Sequence, residues 1–237
     1  MNPGILYIVP TPIGNLSDVT SRALDTLRSV DLIACEDTRH TMKLLVTYSI
    51  TKPLISFYSQ NQWRRIPEII EALTQGKNVA VVSDGGTPTI SDPGAQLVQR
   101  AVEEQLPVVA LPGPSAVITA LSASGLPTNG FVFLGFLKLK PGKMRSEVTQ
   151  ALGLGKTVVF YESPHRIHRT FETLSTVVPA PTQTVIAREL TKTYEEYIRG
   201  SFQQVHTAIA SRELKGEITV LLSPEKDHHS ESEEEHP

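Results

Sequence analysis

Apolar runs alternate with helical patterns along the first half of the chain, and this alternation most restricts the possible fold. The predicted strands are ILYIVP (5–10), DLIACE (31–36), PLISFY (53–58), NVAVVSD (78–84) and PVVALPG (107–113). The predicted helices are residues 17–30, which begin at Ser17 or Asp18, then 38–47, 63–76, 92–105, which begin at Asp92 and Pro93, and 114–124. Strands that alternate with helices indicate a parallel sheet that is covered by helices on both faces.

The second half has a different pattern, in which some strands follow one another without a helix between them. The predicted strands are residues 131–137, 157–162, 184–190, 195–200 and 217–223, and the predicted helices are 142–152, 164–177 and 201–210. The two strands around Thr191 indicate antiparallel pairing. We therefore predict an α/β protein with a parallel N-terminal domain (1–113), a mixed α+β C-terminal domain (114–225) and a disordered acidic tail (226–237).

Composition and charge exclude several classes of protein. No apolar run approaches the roughly 20 residues of a membrane span, and the first ten residues lack a basic segment, so we expect a cytoplasmic protein. The single cysteine, Cys35, forms no intramolecular disulfide, and no cluster of ligands has zinc-like spacing, so we expect no metal. Outside the tail, 21 basic and 20 acidic side chains nearly balance, so any contact with nucleic acid must come from local patches.

The segment SDGGTPTISDPG (83–94) places three glycines and two prolines within ten residues, directly after a predicted strand. A tight turn would explain these residues, because Gly and Pro are common in turns. A binding loop would also explain them, because ligands of open α/β sheets bind at the carboxyl ends of the strands. The segment holds no lysine, which excludes a P-loop, and its two aspartates suit a ligand with cationic or hydroxyl groups.

Two further Pro- and Gly-containing loops, PTPIGNL (10–16) and LPGPSA (111–116), also follow predicted strands. Each of them could be a simple turn. Because the carboxyl ends of parallel strands meet at one edge of a sheet, three such loops would together border a single crevice. The sequence therefore predicts a pocket at this edge.

Four charged segments each allow a structural and a functional interpretation. EDTRHT (36–41) is either a salt-bridged helix start capped by Asp37 or Thr38, or a substrate site in which Arg39 contacts phosphate. KLKPGKMR (138–145) is either a solvated linker or a phosphate-binding loop. YESPHR (161–166) is either a helix cap or a surface for RNA or cofactor. ARELTKTYEE (187–196) is either a turn with surface ion pairs or a catalytic wall.

Together these segments resemble the ribosomal RNA small subunit 2′-O-methyltransferase I family of tetrapyrrole-methylase-like enzymes. The resemblance runs in order from about Leu6 to Leu222. It is carried by PTPIGNLSDVTSRAL, ACEDTRHTMKLL, SDGGTPTISDPG, LPGPSAVITALSASGLPT, FYESPHRI and ARELTKTYEE. It implies a homodimer that binds S-adenosyl-L-methionine (SAM) between its two domains and methylates the ribose 2′-hydroxyl of cytidine 1402 in 16S rRNA, within the 30S subunit.

The resemblance also implies roles for individual residues. The residues implied to bind SAM are Pro10, Gly14, Asp84, Gly85, Gly86, Thr87, Pro88, Ser91, Asp92, Ser115 and Ala116. The catalytic candidates are Glu189 as base or orienter, Lys192 or Arg188 as cation, and Asp37 in reserve. The RNA-binding candidates are Arg39, Lys138, Lys140, Lys143, Arg145, His165 and Arg166.

The chain departs from the family pattern in the SAM loop and in SFYSQNQ (56–62). Gly85 stands where the family has Ala, Thr89 stands where it has Gly, and 56–62 lacks the usual histidines and acids around a shared Asn. Three other functions remain open. They are a same-fold methylase acting on a tetrapyrrole or a protein, a non-catalytic ribosome-assembly factor, and a nicotinamide-binding protein, which the lack of GxGxxG after the first strand disfavours.

Overall fold

The computed structural model describes residues 2–223 of the chain. They divide into two compact units, the first up to Ala116 and the second from Val117 onwards. The acidic tail over 226–237 lies outside the described residues, so its disorder stays a prediction. The domain bounds 1–113 and 114–225 also stay predictions.

The first unit contains a five-stranded sheet in which every pair of neighbouring strands is parallel. Its strands are β1 (Leu6–Ile8), β2 (Leu32–Cys35), β3 (Leu54–Ser56), β4 (Val79–Val82) and β5 (Val108–Ala110). Its helices are α1 (Ser21–Ser29), α2 (Thr38–Thr47), α3 (Gln62–Thr74) and α4 (Ala95–Glu103). The strand order is β3-β2-β4-β1-β5, so β1 lies between β4 and β5.

The two faces of this sheet hold separate apolar clusters. In the central strand β4, Ala80 and Val82 pack with residues of α1 and α2, whereas Val79 and Val81 pack with residues of α3 and α4. This alternation follows from the strand period of two, which sends successive side chains to opposite faces. All four β4 residues are buried, as a parallel sheet covered on both sides requires.

The second unit contains a mixed sheet with the order β6-β7-β10-β8-β9. Its strands are β6 (Phe131–Phe136), β7 (Thr157–Glu162), β8 (Gln183–Arg188), β9 (Glu196–Ser201) and β10 (Ile218–Ser223), and its helices are α5 (Ala116–Ser122), whose first residue belongs to the first unit, α6 (Pro141–Leu152), α7 (Ile167–Leu174) and α8 (Phe202–Ala210). The pair β6–β7 is parallel and the other three pairs are antiparallel. The predicted fold class, a parallel sheet followed by a mixed sheet, is confirmed.

One apolar cluster joins α6, α7 and α8 to the mixed sheet. At its centre the rings of Phe171 and Phe202 stack with centroids 5.0 Å apart and planes 7° from parallel. None of the helices within residues 2–223 is long and apolar enough to cross a membrane.

The predicted start of α1 is wrong. Residues 16–18 form a separate 3-10 turn, and α1 is capped by Thr20, whose hydroxyl accepts a hydrogen bond from the N–H of Ala23 at 3.1 Å. Ser17 and Asp18 are good capping residues by type, but so is Thr20, and the sequence alone could not rank them.

The predicted starts of α4 and α7 are also wrong, for a shared reason. α4 begins at Ala95 after Gly94, which has φ of 123°, and α7 begins at Ile167. Pro93 and Pro164 lie in the turns that precede these helices. Proline fixes φ near −65°, which suits a turn as well as the first residue of a helix.

Candidate active site

Four of the five parallel strands place their carboxyl ends side by side, in the order β2-β4-β1-β5. The loops that leave these ends begin with Glu36, Ser83, Val9 and Leu111. The candidate SAM residues Pro10, Gly14, 84–88, Ser91, Asp92 and Ser115 all lie in these loops, and Ala116 is the first residue of α5. The strand order thus brings together segments that are up to about 100 residues apart in sequence.

Hydrogen bonds hold the β1 and β4 loops together. The N–H of Thr11 donates to the Gly86 carbonyl at 3.0 Å, and the N–H of Gly86 donates to the Thr11 carbonyl at 2.9 Å. The buried Thr11 hydroxyl also donates to the Ser83 carbonyl at 3.0 Å. The Thr87 hydroxyl donates to the Pro114 carbonyl at 3.0 Å and so attaches the β5 loop to the β4 loop.

Two glycines are required by this arrangement. A Cβ atom on Gly113 would lie 2.6 Å from the Cβ atom of Pro10, so only glycine lets the β1 and β5 loops approach this closely. Gly86 has φ of +87°, a conformation in which most other residues are strained. The arrangement of these loops therefore depends on glycine at specific positions, which a generic turn would not require.

The β4 loop also holds two residues other than glycine in the left-handed region. Thr89 has φ of 76° and Ser91 has φ of 66°. Such a conformation costs on the order of 1 kcal/mol or more for each residue, and it is found most often at sites of function. The resemblance implies that Ser91 binds SAM and that Thr89 stands where the family has Gly.

Carboxylates converge at the same edge. Asp84 Oδ1 accepts the N–H of Asp37 at 3.1 Å, which ties β2 to β4. Partial burial raises the pKa of Glu36, and the charges of Asp92 and Asp84 raise it further. Burial also raises the pKa of Asp92, with a further contribution from Asp84, while a hydrogen bond from Ser83 opposes the rise. A bound cation would relieve the repulsion among these groups.

Cys35 lies fully buried at the end of β2, next to these acids. Burial raises the pKa of its thiol, and the negative charges of Asp84 and Asp37 add to the rise. The thiol is therefore protonated at neutral pH and unreactive in the folded protein.

Asp37 and Arg39 pair with each other at the start of α2. Asp37 caps the helix through the N–H of Arg39 at 2.8 Å, and its carboxylate accepts the Arg39 guanidinium at 3.2 and 2.9 Å. These hydrogen bonds lower the pKa of Asp37 to about 2. The geometry matches the salt-bridged helix start, and the exposed guanidinium keeps N–H groups that Asp37 does not use.

In the second unit, Glu189 and Lys192 lie in a turn between β8 and β9. Glu189 Oε1 accepts the Lys192 ammonium at 2.9 Å and the Glu217 N–H at 3.0 Å. The Lys192 ammonium also contacts the Glu217 carboxylate at 3.1 Å. The Glu189 side chain passes over Gly216, where a Cβ would collide with it.

Desolvation and ion pairing act against each other on these two groups. Partial desolvation disfavours the charge of Glu189, but hydrogen bonds from Lys192 and Glu217 outweigh it and lower the pKa of Glu189. Partial burial likewise disfavours the charge of Lys192, yet its carboxylate partners raise its pKa. Both groups are therefore ionised at neutral pH, which makes Glu189 a weak base and Lys192 a fixed cation.

Arg188 belongs to a neighbouring ion-pair network. Its guanidinium donates to Glu196 at 3.1 Å and to the Lys215 carbonyl at 2.9 Å. Arg212 contacts the same Glu196 carboxylate at 2.8 Å. Arg188 is thus held by an acid and a carbonyl, while Lys192 bridges two acids.

The YESPHR segment is mainly a structural cap. The Glu162 side chain is buried and accepts the Thr170 hydroxyl at 2.6 Å and the Ser163 N–H at 2.7 Å, which matches the helix-cap interpretation of this segment. Arg166 contacts Glu162 at 3.4 Å and donates to the Leu137 carbonyl at 3.1 Å. Of the two RNA candidates in this segment, only His165 is exposed.

The basic stretch 138–145 is not a linker throughout, because α6 begins within it at Pro141. Lys138, Lys140 and Lys143 are exposed and Arg145 is half-buried. Within residues 2–223, none of these four cations forms an ion pair. The stretch therefore presents uncompensated positive charge.

Several site residues were missed by the sequence interpretation. Glu36 directly follows β2 and Thr11 lies in the loop after β1, so the rule that ligands bind at strand ends would have found them. Glu217 could not be found in this way, because it meets Lys192 only through strand pairing across 25 residues of sequence. Among residues 2–223, no group of three or more His, Cys, Asp or Glu is placed to hold a metal ion.

Comparison with known proteins shows that the chain belongs to a known family. The model of the tetrapyrrole (corrin/porphyrin) methylases matches residues 5–206. Proteins named ribosomal RNA small subunit methyltransferase I match the chain closely. The one from Hydrogenobaculum sp. is 47% identical over 96% of this chain and 99% of its own length. The one from Vibrio cholerae is 45% identical over 94% of this chain and 78% of its own length, and the one from Bacillus subtilis is 43% identical over 98% and 79%.

Solved structures agree on the fold at low sequence identity. A cobalt precorrin-4 methyltransferase has a TM-score of 0.67 at 14% identity and covers 92% of this chain and 94% of its own. The uroporphyrin-III C-methyltransferase of Thermus thermophilus, in complex with S-adenosyl homocysteine, has a TM-score of 0.64 at 17% identity and covers 93% and 97%. The resemblance drawn from the motifs is confirmed.

Asp92→Asn is expected to stabilise the fold, because it removes a partly buried charge that the Asp84 charge also repels. The pKa of Asp92 is raised in the folded state, so wild-type stability falls as pH rises from about 4 through that raised value. The substitution should therefore add about 0.5–2 kcal/mol at pH 7 and nothing below pH of about 4. Urea unfolding at both pH values measures this.

Asp25→Asn serves as the control, because Asp25 is an exposed partner of Arg28 and should change stability little at either pH. A loss of stability at pH 7 in Asp92→Asn would mean that the Ser83 hydrogen bond outweighs the repulsion.

Proposed function

We propose that this chain, which belongs to the ribosomal RNA small subunit methyltransferase I family of the tetrapyrrole methylases, transfers a methyl group from SAM to the 2′-hydroxyl of cytidine 1402 in 16S rRNA. Two observations support the proposal. Hydrogen bonds of Thr11, Gly86 and Thr87 join the β1, β4 and β5 loops at one edge of the parallel sheet. The chain is also 43–47% identical to proteins named ribosomal RNA small subunit methyltransferase I.

The residues at this junction fit the chemistry of SAM. SAM carries an ammonium, a sulfonium and a carboxylate. Glu36, Asp84 and Asp92 form an acidic wall whose repulsion a cation would relieve. The exposed backbone of Gly85 offers an N–H for the carboxylate. When bound, SAM supplies an electrophilic methyl group.

The protein must orient the ribose hydroxyl, whose oxygen would take the methyl group from sulfur while its proton passes to solvent water. Orientation of the reacting atoms can supply much of the acceleration. Asp37, with a pKa of about 2, and Glu189, with a lowered pKa, are weak proton acceptors at neutral pH. We therefore assign Glu189 as the residue that positions Lys192, and Lys192 as the cation that stabilises negative charge developing on the ribose oxygen. Arg188 would support the same turn.

The substrate is proposed to be rRNA within the 30S subunit, bound by a homodimer in the cytoplasm. The near-balanced charge of residues 1–225 favours a shaped ribonucleoprotein over loose RNA, because broad electrostatic capture would be weak. Lys138, Lys140 and Lys143, which lack acidic partners among the described residues, would contact phosphate.

The same fold serves enzymes with other substrates, such as the precorrin and uroporphyrin methyltransferases. Their identity to this chain is 14–17%, which indicates a shared fold only. The rRNA assignment is favoured because the relatives at 43–47% identity carry that name over most of the chain.

Labelled methyl groups are expected to pass from SAM to 30S subunits isolated from cells that lack this protein. Mass spectrometry should locate the label on the ribose of cytidine 1402, and subunits from wild-type cells, already methylated, are the control. If SAM binds but no label reaches subunits or naked 16S rRNA, the substrate belongs to another class.

Gly113→Ala is expected to weaken SAM binding by at least about tenfold, because the new Cβ would force the β5 loop away from Pro10. Isothermal titration calorimetry measures the affinity. Gly142→Ala is the matched control, since a Cβ at Gly142 meets nothing within 4 Å, and its affinity should equal that of wild type. Unchanged affinity in Gly113→Ala would place SAM elsewhere.

Lys192→Met is expected to lower kcat on the order of 100-fold, and Glu189→Gln on the order of tenfold, with little change in SAM affinity. If Glu189 only positions Lys192, the acid limb of the pH–rate profile stays in place in Glu189→Gln. Lys215→Met removes an exposed ammonium nearby and should leave kcat unchanged.

A loss of the acid limb in Glu189→Gln would instead identify Glu189 as the base. Full turnover in both Glu189→Gln and Lys192→Met would exclude this turn from the reaction.

A further inference from the structure

The β3–α3 loop, taken as residues 57–61 together with the first residues of α3 up to Arg64, exposes two aromatic side chains. Trp63 is 73% exposed and Tyr58 is 39% exposed. Trp63 is the single tryptophan of the chain. Because β3 lies beside β2 in the parallel sheet, this β3–α3 loop leaves the same edge as the β2 and β4 loops of the candidate site.

The β3–α3 loop is held in one conformation by Asn61. The Asn61 side chain, which is 9% exposed, accepts the N–H of Tyr58 at 2.9 Å and donates to the Ser56 carbonyl at 3.1 Å. The indole N–H of Trp63 donates to the Gln60 carbonyl at 3.1 Å. The polar edge of the indole is thus satisfied within the loop while most of the ring surface stays in water, so a partner would meet a ring that is already ordered.

The surroundings of the two rings are polar and cationic. Ser59 and Gln60 are exposed, so the aromatic surface consists of separate rings and not of a continuous apolar face. Arg64 is exposed and forms no ion pair within residues 2–223, whereas Arg65 pairs with Glu68. Separate rings beside an unpaired guanidinium suit an anionic partner with flat groups better than a second protein surface.

We propose that the β3–α3 loop binds single-stranded RNA, with an unpaired base stacked on Trp63, a second base against Tyr58, and a phosphate at Arg64. Single-stranded RNA fits because its bases are free to stack on aromatic side chains, which the bases of a duplex are not. The proposal rests on the proposed function and adds to it the surface that would hold nucleotides near the target ribose.

Intrinsic fluorescence tests the contact directly, since all tryptophan emission comes from Trp63. The full chain is titrated with an oligocytidylate RNA of about 12 nucleotides, and with a duplex RNA of the same length. Single-stranded RNA should quench the emission with saturation, and duplex RNA should quench it much less. Absence of quenching, or equal quenching by both, would overturn the proposal.

Variants then separate stacking from other effects. The affinity for RNA is measured by the fluorescence anisotropy of labelled oligocytidylate. Trp63→Ala should weaken binding on the order of tenfold, and Trp63→Phe should restore most of the affinity. Val102→Ala is the matched control, because Val102 is an exposed apolar residue near the end of α4, at the opposite edge of the sheet, and it should bind as wild type does. Wild-type affinity in Trp63→Ala would overturn the proposal.

Two further measurements distinguish this proposal from its alternatives. Sedimentation of Trp63→Ala should give the same oligomeric state as wild type, and a shift from dimer to monomer would assign the surface to a second copy of the chain.

In methyl transfer to 30S subunits, Trp63→Ala should raise KM with SAM affinity unchanged. If wild type transfers methyl and Trp63→Ala equals it, the RNA surface is wrong and the proposed function stands. If wild type transfers none although fluorescence is quenched, the proposed function is wrong and the RNA surface stands.

Discussion

Two backbone hydrogen bonds between Thr11 and Gly86 join the loops that follow β1 and β4, two neighbouring strands inside the parallel sheet. They fix the first residues of the β4 loop, which holds Thr89 and Ser91 in the left-handed region. The β5 loop is attached in turn, through Thr87 to Pro114 and through the contact of Gly113 with Pro10. These contacts together make one surface of the three loops.

Two pairs of acids, Glu36 with Asp92 in the first unit and Glu189 with Glu196 in the second, have opposite pKa shifts. In the first unit, burial and mutual repulsion raise the pKa values of Glu36 and Asp92. In the second unit, cationic partners lower the pKa values of Glu189 and Glu196. A cation supplied by a ligand would offset the charges of Glu36 and Asp92, whereas cations of the chain itself already pair with Glu189 and Glu196. This contrast is why we assign ligand binding to the first pair and positioning of a cation to the second.

The sequence predicted what depends on local periodicity. The helix over 38–47 has the predicted bounds, and every predicted strand exists, because the strands are short apolar runs and the helices carry apolar residues at helical spacing. The helix start near Ser17 was wrong because neighbouring residues compete as caps, and the starts near Asp92 and Pro164 were wrong because proline suits the preceding turn as well as the first residue of a helix. Contacts distant in sequence, such as that of Lys192 with Glu217, depend on the pairing of β8 with β10, which no local pattern specifies. The edge at which these loops meet could be predicted, but not the partners of the charged groups there.

The reactivity of Cys35 can report the local opening of the parallel sheet. The side chain is fully buried in β2, and its thiol is kept protonated by burial and by the acids beside it. A thiol reagent can therefore reach it only when this part of the sheet opens. Since the chain has a single cysteine, the rate of alkylation reports the opening free energy of β2, the strand that carries Glu36 and Asp37. Any ligand that bridges the β2 and β4 loops would slow that reaction in proportion to its occupancy.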